Sequence, residues 1–251
     1  MRRAAFTLLA LLTAGLVLLA SFPVALLAFL SAPLDADRGR VSRSLRTLGQ
    51  LIIRLSPLWR VTVEGALPAP PATFVVVPNH QSMVDALAVA FLPRDLKWIG
   101  KREVFRWPWL GWAFRLAGYV PVLRGDKDSG RGALGRLRGY LARGLPVGLF
   151  AEGTRSRDGA LRGFKAGPFK LAIESGAPIV PVAIAGAGRA MPADTARLRQ
   201  AHIRVRILPP VPTTGLTVDD VERLRETVRT TLVEALAALE REVGAQEPPR
   251  S

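Results

Sequence analysis

The sequence contains no cysteine, which removes thiolate catalysis, disulfide scaffolds, Cys-ligated zinc and iron–sulfur clusters from consideration. Histidine is almost missing too, and 2 residues are too few for a His-rich metal site. Acid is scarce: 20 Asp and Glu stand against 35 Lys and Arg, giving a net charge of +15 and a pI near 11.5. A surplus of that size calls for a polyanionic partner, and phospholipid head groups, nucleic acid and phosphorylated small molecules all qualify. Disorder is excluded by a chain that is 49% hydrophobic and 22% charged, the balance of a folded protein. Its 251 residues suffice for one domain with a sizeable core.

Charge is absent altogether from Ala4 to Pro33, a run of 30 residues with Arg2 and Arg3 before it and Arg38, Arg40, Arg43 and Arg46 after it. A bilayer core needs roughly 20 apolar helical residues, so the run is long enough to cross. It also exceeds the roughly 7–15 apolar residues of a cleaved signal peptide, the other reading of a basic start and an apolar middle. Pro23 favours a bend, so the segment either spans with a kink or dips in and returns. The larger arginine cluster follows the run, which sets the expected location as the inner (cytoplasmic) membrane with the following domain facing the cytoplasm. Val41 to Leu58 places Leu45, Leu48, Ile52, Ile53 and Leu55 among arginines, the pattern of an amphipathic helix suited to a membrane surface. The expected organisation is membrane-anchoring helices over 1–58, one α/β domain over 59–243 and a polar tail over 244–251.

Within the domain, short apolar runs at Phe74–Val77, Leu96–Ile99, Tyr119–Leu123, Val147–Phe150, Ile179–Ile184 and Ile203–Leu208 alternate with helical patterns. The helical stretches are Val84–Phe91, Leu110–Leu116, Asp128–Ala142 and Phe169–Glu174. Continuous apolar strands bounded by Gly or Pro are buried on both faces, and the alternation predicts an α/β sheet flanked by helices. Thr217 and Asp220 have capping-box spacing. Val221, Leu224, Val228, Leu232, Leu236 and Leu239 then form one stripe of a helix over 218–243.

Two segments carry chemistry. In Pro78-Asn79-His80-Gln81-Ser82-Met83-Val84-Asp85, a strand breaks and a His and an Asp follow five residues apart. At about 100° per residue they meet only if His80 lies in the turn and Asp85 in the first helical turn. The carboxylate then takes the Nδ1 proton and leaves Nε2 as a general base, the His–Asp half of a triad. Ser82 is either a nucleophile or an N-cap. The second segment, Phe150-Ala151-Glu152-Gly153-Thr154-Arg155-Ser156, sits at the carboxyl end of a strand, where open α/β sheets bind ligands. Beyond it, Arg155, Arg157, Arg162 and Lys165 alternate with Gly153, Gly159, Gly163 and Gly167. That loop is either a phosphate cradle or an exposed basic loop; Glu152, an acid at the mouth of an apolar strand, favours the cradle. Val120-Pro121-Val122-Leu123-Arg124 ends another strand in an Arg, and Ile179-Val180-Pro181-Val182 is either core or substrate lining.

Taken in order, these segments resemble the glycerolipid acyltransferase family, the 1-acyl-sn-glycerol-3-phosphate acyltransferases in particular, over about residues 70–190. The resemblance implies transfer of an acyl group from a thioester, on coenzyme A or acyl carrier protein, to the sn-2 hydroxyl of lysophosphatidic acid, giving phosphatidic acid. His80 would be the base and Asp85 would orient it. Arg124, Glu152, Gly153, Thr154, Arg155 and Ser156, with Lys165, would bind the acceptor phosphate. No cofactor and no metal are implied, because the substrate hydroxyl is itself the nucleophile and the acyl thioester is a co-substrate. Ala151 stands where the family usually has Pro, a mild change that loosens the backbone before Glu152. Leu123 stands where the family commonly has Asp or Asn, and Pro121 at a position that is usually apolar and unconstrained; these two departures bear on the head group, so another lysolipid, such as a lyso-ornithine lipid, is the alternative acceptor. A non-catalytic lipid-binding membrane protein is the alternative from a different class.

Trp98, Trp107, Trp109 and Trp112 fall among Lys97, Lys101, Arg102, Arg106 and Arg115, which reads as a bilayer-interface cluster or an aromatic core. The expected partners are anionic membrane phospholipids, a lysophospholipid acceptor and the acyl thioester. Nucleic acid is excluded by the uncharged N-terminus, which such binders do not carry.

Overall fold

A computed structural model describes residues 35, 37–156, 159–193, 195 and 197–246, together with Leu8, Leu11, Leu12, Gly15, Leu19, Phe22, Leu26 and Leu30. Those last eight are helical and exposed to solvent. The expected membrane segment over Ala4–Pro33 otherwise lies outside the described residues, as do Arg157 and the end of the polar tail. Among the described residues no helix is long and apolar enough to cross a membrane.

Period-2 alternation of apolar side chains builds the centre of the molecule. In β2 (Val75–Pro78) and β6 (Ile179–Ala185) every residue is buried. Val75, Val77, Ile179, Ala183 and Ala185 join one apolar cluster, whereas Val76, Val180, Val182 and Ile184 join another. Successive strand side chains point to opposite faces, so these are the two faces of one sheet, each covered by helices. The strands are β1 (Trp59–Glu64), β2, β3 (Lys97–Lys101), β4 (Val120–Val122), β5 (Val147–Gly148), β6 and β7 (Ala201–Ile207), in the order β1-β7-β6-β2-β5-β3-β4. Only the β6–β7 pair is antiparallel. The carboxyl ends of β2, β5, β3 and β4 therefore share one edge, where ligands bind in open α/β sheets.

On the first face lie α4 (Lys127–Ala142), α5 (Gly167–Glu174) and α7 (Val221–Gln246), which bury Leu137, Phe169 and the stripe Leu224, Val228, Leu232, Leu236, Leu239 and Val243. The Thr217–Asp220 capping box forms, on a short 3-10 turn that precedes α7. The second face takes α2 (Asp85–Ala88) and α6 (Ala187–Ala190). The segment Ile179–Val182 resolves as core.

The amphipathic helix forms as α1 (Gly39–Leu55), and it buries Val41, Ser42, Gly49 and Ile53 against the domain. Val41 packs with Leu45 against Leu116, Ala117 and Tyr119, at the end of α3 (Leu110–Leu116). A Cβ on Gly49 would lie 2.9 Å from that of Ala90, so the backbones are in close approach there. Arg46 reaches Asp95 at 2.8 Å. Of the apolar set Leu55 is left exposed, as is Leu51 beside it, while Leu45, Leu48, Ile52 and Ile53 are half-buried or buried, so α1 packs on the body of the domain.

Lys97 is likewise buried, because its Nζ donates to Ser42 Oγ at 2.9 Å, Ala117 O at 2.8 Å and Arg38 O at 3.2 Å. It staples α1 to β3, and burial lowers its pKa to about 8.

Candidate active site

Pro78 ends β2 and cannot donate to the sheet. Asn79 continues the ladder with its side chain instead: Oδ1 accepts from Ile184 N at 2.7 Å and Nδ2 donates to Ile184 O at 2.9 Å. This pins the turn that follows. His80 lies in that turn and Asp85 opens α2, so the five-residue spacing brings them together, with Nδ1 2.9 Å from Asp85 Oδ2. The same oxygen accepts from the amides of Gln81 at 2.6 Å and Ser82 at 2.7 Å. Asp85 is fully buried, with the imidazole nitrogen and two backbone amides gathered on that one oxygen. Among the described residues no group bonds Nε2 of His80. The Ser82 hydroxyl donates to Met191 O at 2.7 Å and accepts from Val84 N at 3.2 Å. It therefore caps the turn and is not aimed at the imidazole.

The second segment holds the first. Glu152 accepts from His80 N at 2.6 Å through Oε1 and from Arg162 N at 2.9 Å through Oε2. Ser156 N donates to His80 O at 2.8 Å, so both sides of the His80 peptide are fixed by this loop. Gln81 Nε2 adds a bond to Gly159 O at 2.9 Å. Glu152 is buried, and burial pushes its carboxyl up to about 7 against the opposing pull of the two amides.

Gly153 has φ +68°, and a Cβ there would lie 2.6 Å from Lys165 Cε. Only glycine allows both the turn and the close pass of the lysine. Thr154 is exposed. The pKa of Arg124 is lowered by burial and by the neighbouring Arg155, so two guanidinium groups from different strand ends converge.

A cavity of about 480 Å³ opens at the ends of β3, β4 and β5, between α4 and α5. Its walls include Ile99, Val122, Leu123, Leu134, Leu149 and Phe150, and its rim carries Lys101, Arg124, Lys127, Arg131 and Lys165. Phe150 links cavity and base: it lines the former, and its ring stacks on the imidazole with centroids 4.1 Å apart and planes at 24°. Trp98 stacks behind Phe150 at 5.8 Å. A Cβ at position 148 would meet the Trp98 ring at 2.6 Å, which explains Gly148.

The structure thus gathers His80, Asp85, Glu152, Ser156, Arg124, Arg155 and Lys165 at one end of the sheet. It departs from expectation at Glu152, whose two oxygens face backbone amides and not an open anion site. Ser156, too, is buried and serves His80 through its backbone. Phe150 as the support of the imidazole had no sequence signal beyond its place in the motif. Lys101, Lys127 and Arg131 joined the rim only through the sheet order. Among the described residues no group of three or more His, Asp or Glu side chains is placed to hold a metal ion.

A family model described as acyltransferase matches residues 60–185, half of the chain and the span that carries both segments. The chain belongs to the acyltransferase family. Among curated members, the human 1-acyl-sn-glycerol-3-phosphate acyltransferase alpha is 37% identical over 210 residues, covering 81% of this chain and 74% of the relative. A 1-acyl-sn-glycerol-3-phosphate acyltransferase of Chlamydomonas reinhardtii is 38% identical over 161 residues, 62% of this chain and 48% of its own. The chloroplastic enzyme LPAT1 of Arabidopsis thaliana is 36% identical over 162 residues, 63% and 46%. The chain thus spans about half the length of the two latter family members. Among solved structures, the 1-acyl-sn-glycerophosphate (LPA) acyltransferase PlsC of Thermotoga maritima superposes with a TM-score of 0.80 at 26% identity, covering 95% of this chain and 96% of that one.

Proposed function

We propose that the protein transfers an acyl group from acyl-coenzyme A or acyl carrier protein to the sn-2 hydroxyl of lysophosphatidic acid, forming phosphatidic acid at the cytoplasmic face of a membrane. The observation that carries this is the His80–Asp85 pair, with Nδ1 held at 2.9 Å and Nε2 unengaged among the described residues, beside an apolar cavity with a basic rim. Nε2 takes the proton of the acceptor hydroxyl as its oxygen attacks the thioester carbonyl. The tetrahedral intermediate collapses, the carbon–sulfur bond breaks, and the imidazolium returns the proton to the departing thiolate. Asp85 holds the tautomer and stabilises the imidazolium while the charge is present. No enzyme nucleophile and no cofactor enter this scheme.

Arg124 and Arg155, with Lys165 beside Gly153, take the acceptor phosphate, whose oxygens suit guanidinium forks and an ammonium group. Thr154 at the exposed tip faces the same anion. Glu152 and Ser156 act through the His80 peptide. The test is a panel of lysolipids offered to the purified protein with acyl-coenzyme A and with acyl carrier protein, products being read by mass. Phosphatidic acid as the main product supports the proposal. A faster reaction with a phosphate-free acceptor such as a lyso-ornithine lipid would reassign the head group, and no transfer with any pair would leave a lipid-binding protein.

A further inference from the structure

The turn between β3 and α3 takes no part in that chemistry, yet it is unusual in the molecule. Trp107, Trp109 and Trp112 are 52%, 62% and 64% exposed. Soluble surfaces seldom present three neighbouring indoles, and contiguous exposed apolar patches mark binding surfaces. The turn is built to hold them out. Trp109 has φ +61° and ψ −58°, and Leu110 N donates to Pro108 O at 2.6 Å, a γ-turn of the strained hand that side chains other than glycine rarely adopt. Strain of this kind persists only where the surroundings enforce it. Here Gly111 N donates to Trp107 O at 3.0 Å, Ala113 N donates to Trp109 O at 2.9 Å, and a Cβ on Gly111 would lie 2.2 Å from Phe105 O.

Between these rings, Arg106 and Arg115 border a crevice of about 270 Å³ floored by Phe105 and Pro108. From Arg102 to Arg115 the chain carries three arginines and one acid, Glu103. The Trp109 ring packs edge-on against Trp112 at 6.0 Å and against Phe22 of the uncharged N-terminal run at 5.1 Å. The patch is therefore continuous with the most apolar part of the sequence. It also leaves the domain at the carboxyl end of β3, the sheet edge where His80 and Arg124 stand.

We propose that the Trp107–Trp109–Trp112 turn is a docking site for anionic bilayer phospholipid, with the indoles at the level of the glycerol backbone and a lipid phosphate held by Arg106 and Arg115. Trp rings settle at the membrane–water interface, where an apolar body and an N–H are both satisfied, and arginine forks match phosphate oxygens. A second copy of the chain is a poorer occupant, because a two-fold contact would set Arg106 and Arg115 against their own copies. The site rests on the reading that the acceptor is a membrane lysolipid, which it would deliver at the sheet edge that holds the base.

The test uses the full chain and vesicles of phosphatidylcholine, with and without phosphatidylglycerol, and with bromine on the acyl chains. The expected result is strong quenching of tryptophan emission by the brominated lipid and protection of the exposed indoles from aqueous iodide. Replacing both Arg106→Gln and Arg115→Gln should cut the preference for phosphatidylglycerol vesicles by about tenfold. Acyl transfer to detergent-dispersed lysophosphatidic acid should stay at the wild-type rate in that variant. Indoles that remain open to iodide on vesicle-bound protein, or an unchanged lipid preference in the double variant, would overturn the site. Loss of transfer in detergent by the wild type would instead strike the functional reading alone.

Discussion

Both oxygens of Glu152 are committed to amides, one on the residue that bears the imidazole and one on the loop that bears the basic residues. An ionised carboxylate accepts from both amides, whereas a protonated one turns a hydrogen toward one of them and loosens it. Burial holds the group at about 7 in place of its ordinary 4.5. The folded protein therefore keeps a proton that the unfolded chain has lost between those values. The contribution of this group to stability falls as pH rises from about 4.5 to about 7 and is level above. Activity should run the opposite way, with kcat rising as Glu152 ionises near pH 7. Asp85 and Arg162 face the group and modulate the same titration. In Glu152→Gln the amide nitrogen opposes one backbone N–H, so kcat should drop by roughly ten- to a hundredfold through misplacement of His80, and the ionisation near pH 7 should vanish from the rate profile. A variant that keeps the wild-type pH profile at reduced yield of folded protein would leave Glu152 a purely structural residue. At this scale the sequence disclosed which residues gather at the site, since His80, Asp85 and Glu152 sit in segments with strong local signatures. It did not disclose that Glu152 serves the base, because that depends on where Arg162 and His80 fall after folding.

Among the elements, strands with continuous apolar runs were legible, and so was the stripe of α7. The edge strand β1 was not: Arg60, Thr62 and Glu64 alternate with Trp59, Val61 and Val63, and its pairing with β7 is a long-range event. The tryptophan-rich segment divided in a way no local pattern shows. Trp98 is committed to β3 and packs on Phe150, and Lys97 is buried by three oxygen acceptors, whereas the three later indoles face outward. That part of the α1 stripe packs on the domain was hidden for the same reason: amphipathicity tells that a face is covered, not by what. In α4 the sequence works against its element. Gly132, Gly135 and Gly139 lie in the helix interior with open space where a Cβ would stand and with ordinary helical φ. Nothing in the structure explains these three. Glycine costs a helix about 1 kcal/mol relative to alanine, so Gly132→Ala and Gly139→Ala should each raise stability by about that much, a shift of roughly 2–4 °C in Tm at this chain length. Thermal unfolding followed by circular dichroism checks it; a lowered Tm would mean that α4 packs on something outside the described residues.

Across the whole molecule, the charge of +15 separates into parts with different jobs. Some arginines serve the fold: Arg206 bonds Glu64 at 2.8 Å and Glu242 at 3.0 Å, tying the β1 edge to β7 and α7. Others, Lys101, Arg124, Lys127, Arg131 and Lys165, surround the cavity beside the base, and a further group borders the exposed indoles. The fold class was legible because strand and helix patterns alternate along the chain. The order of strands was not, since the placement of β7 between β1 and β6 depends on a pairing with β1 that reaches across more than a hundred residues, from Trp59 to Ala201. What joins the whole is the sheet edge that brings the His80 turn, the Glu152 loop and the basic rim together, and its central claim is that His80 is the base for acyl transfer. The most direct test measures phosphatidic acid formed from acyl-coenzyme A and lysophosphatidic acid by wild-type protein and by His80→Ala, with circular dichroism confirming that both are folded. The wild type should form phosphatidic acid, and the variant should be slower by at least 10² to 10⁴-fold. A folded His80→Ala protein working near the wild-type rate would contradict the mechanism.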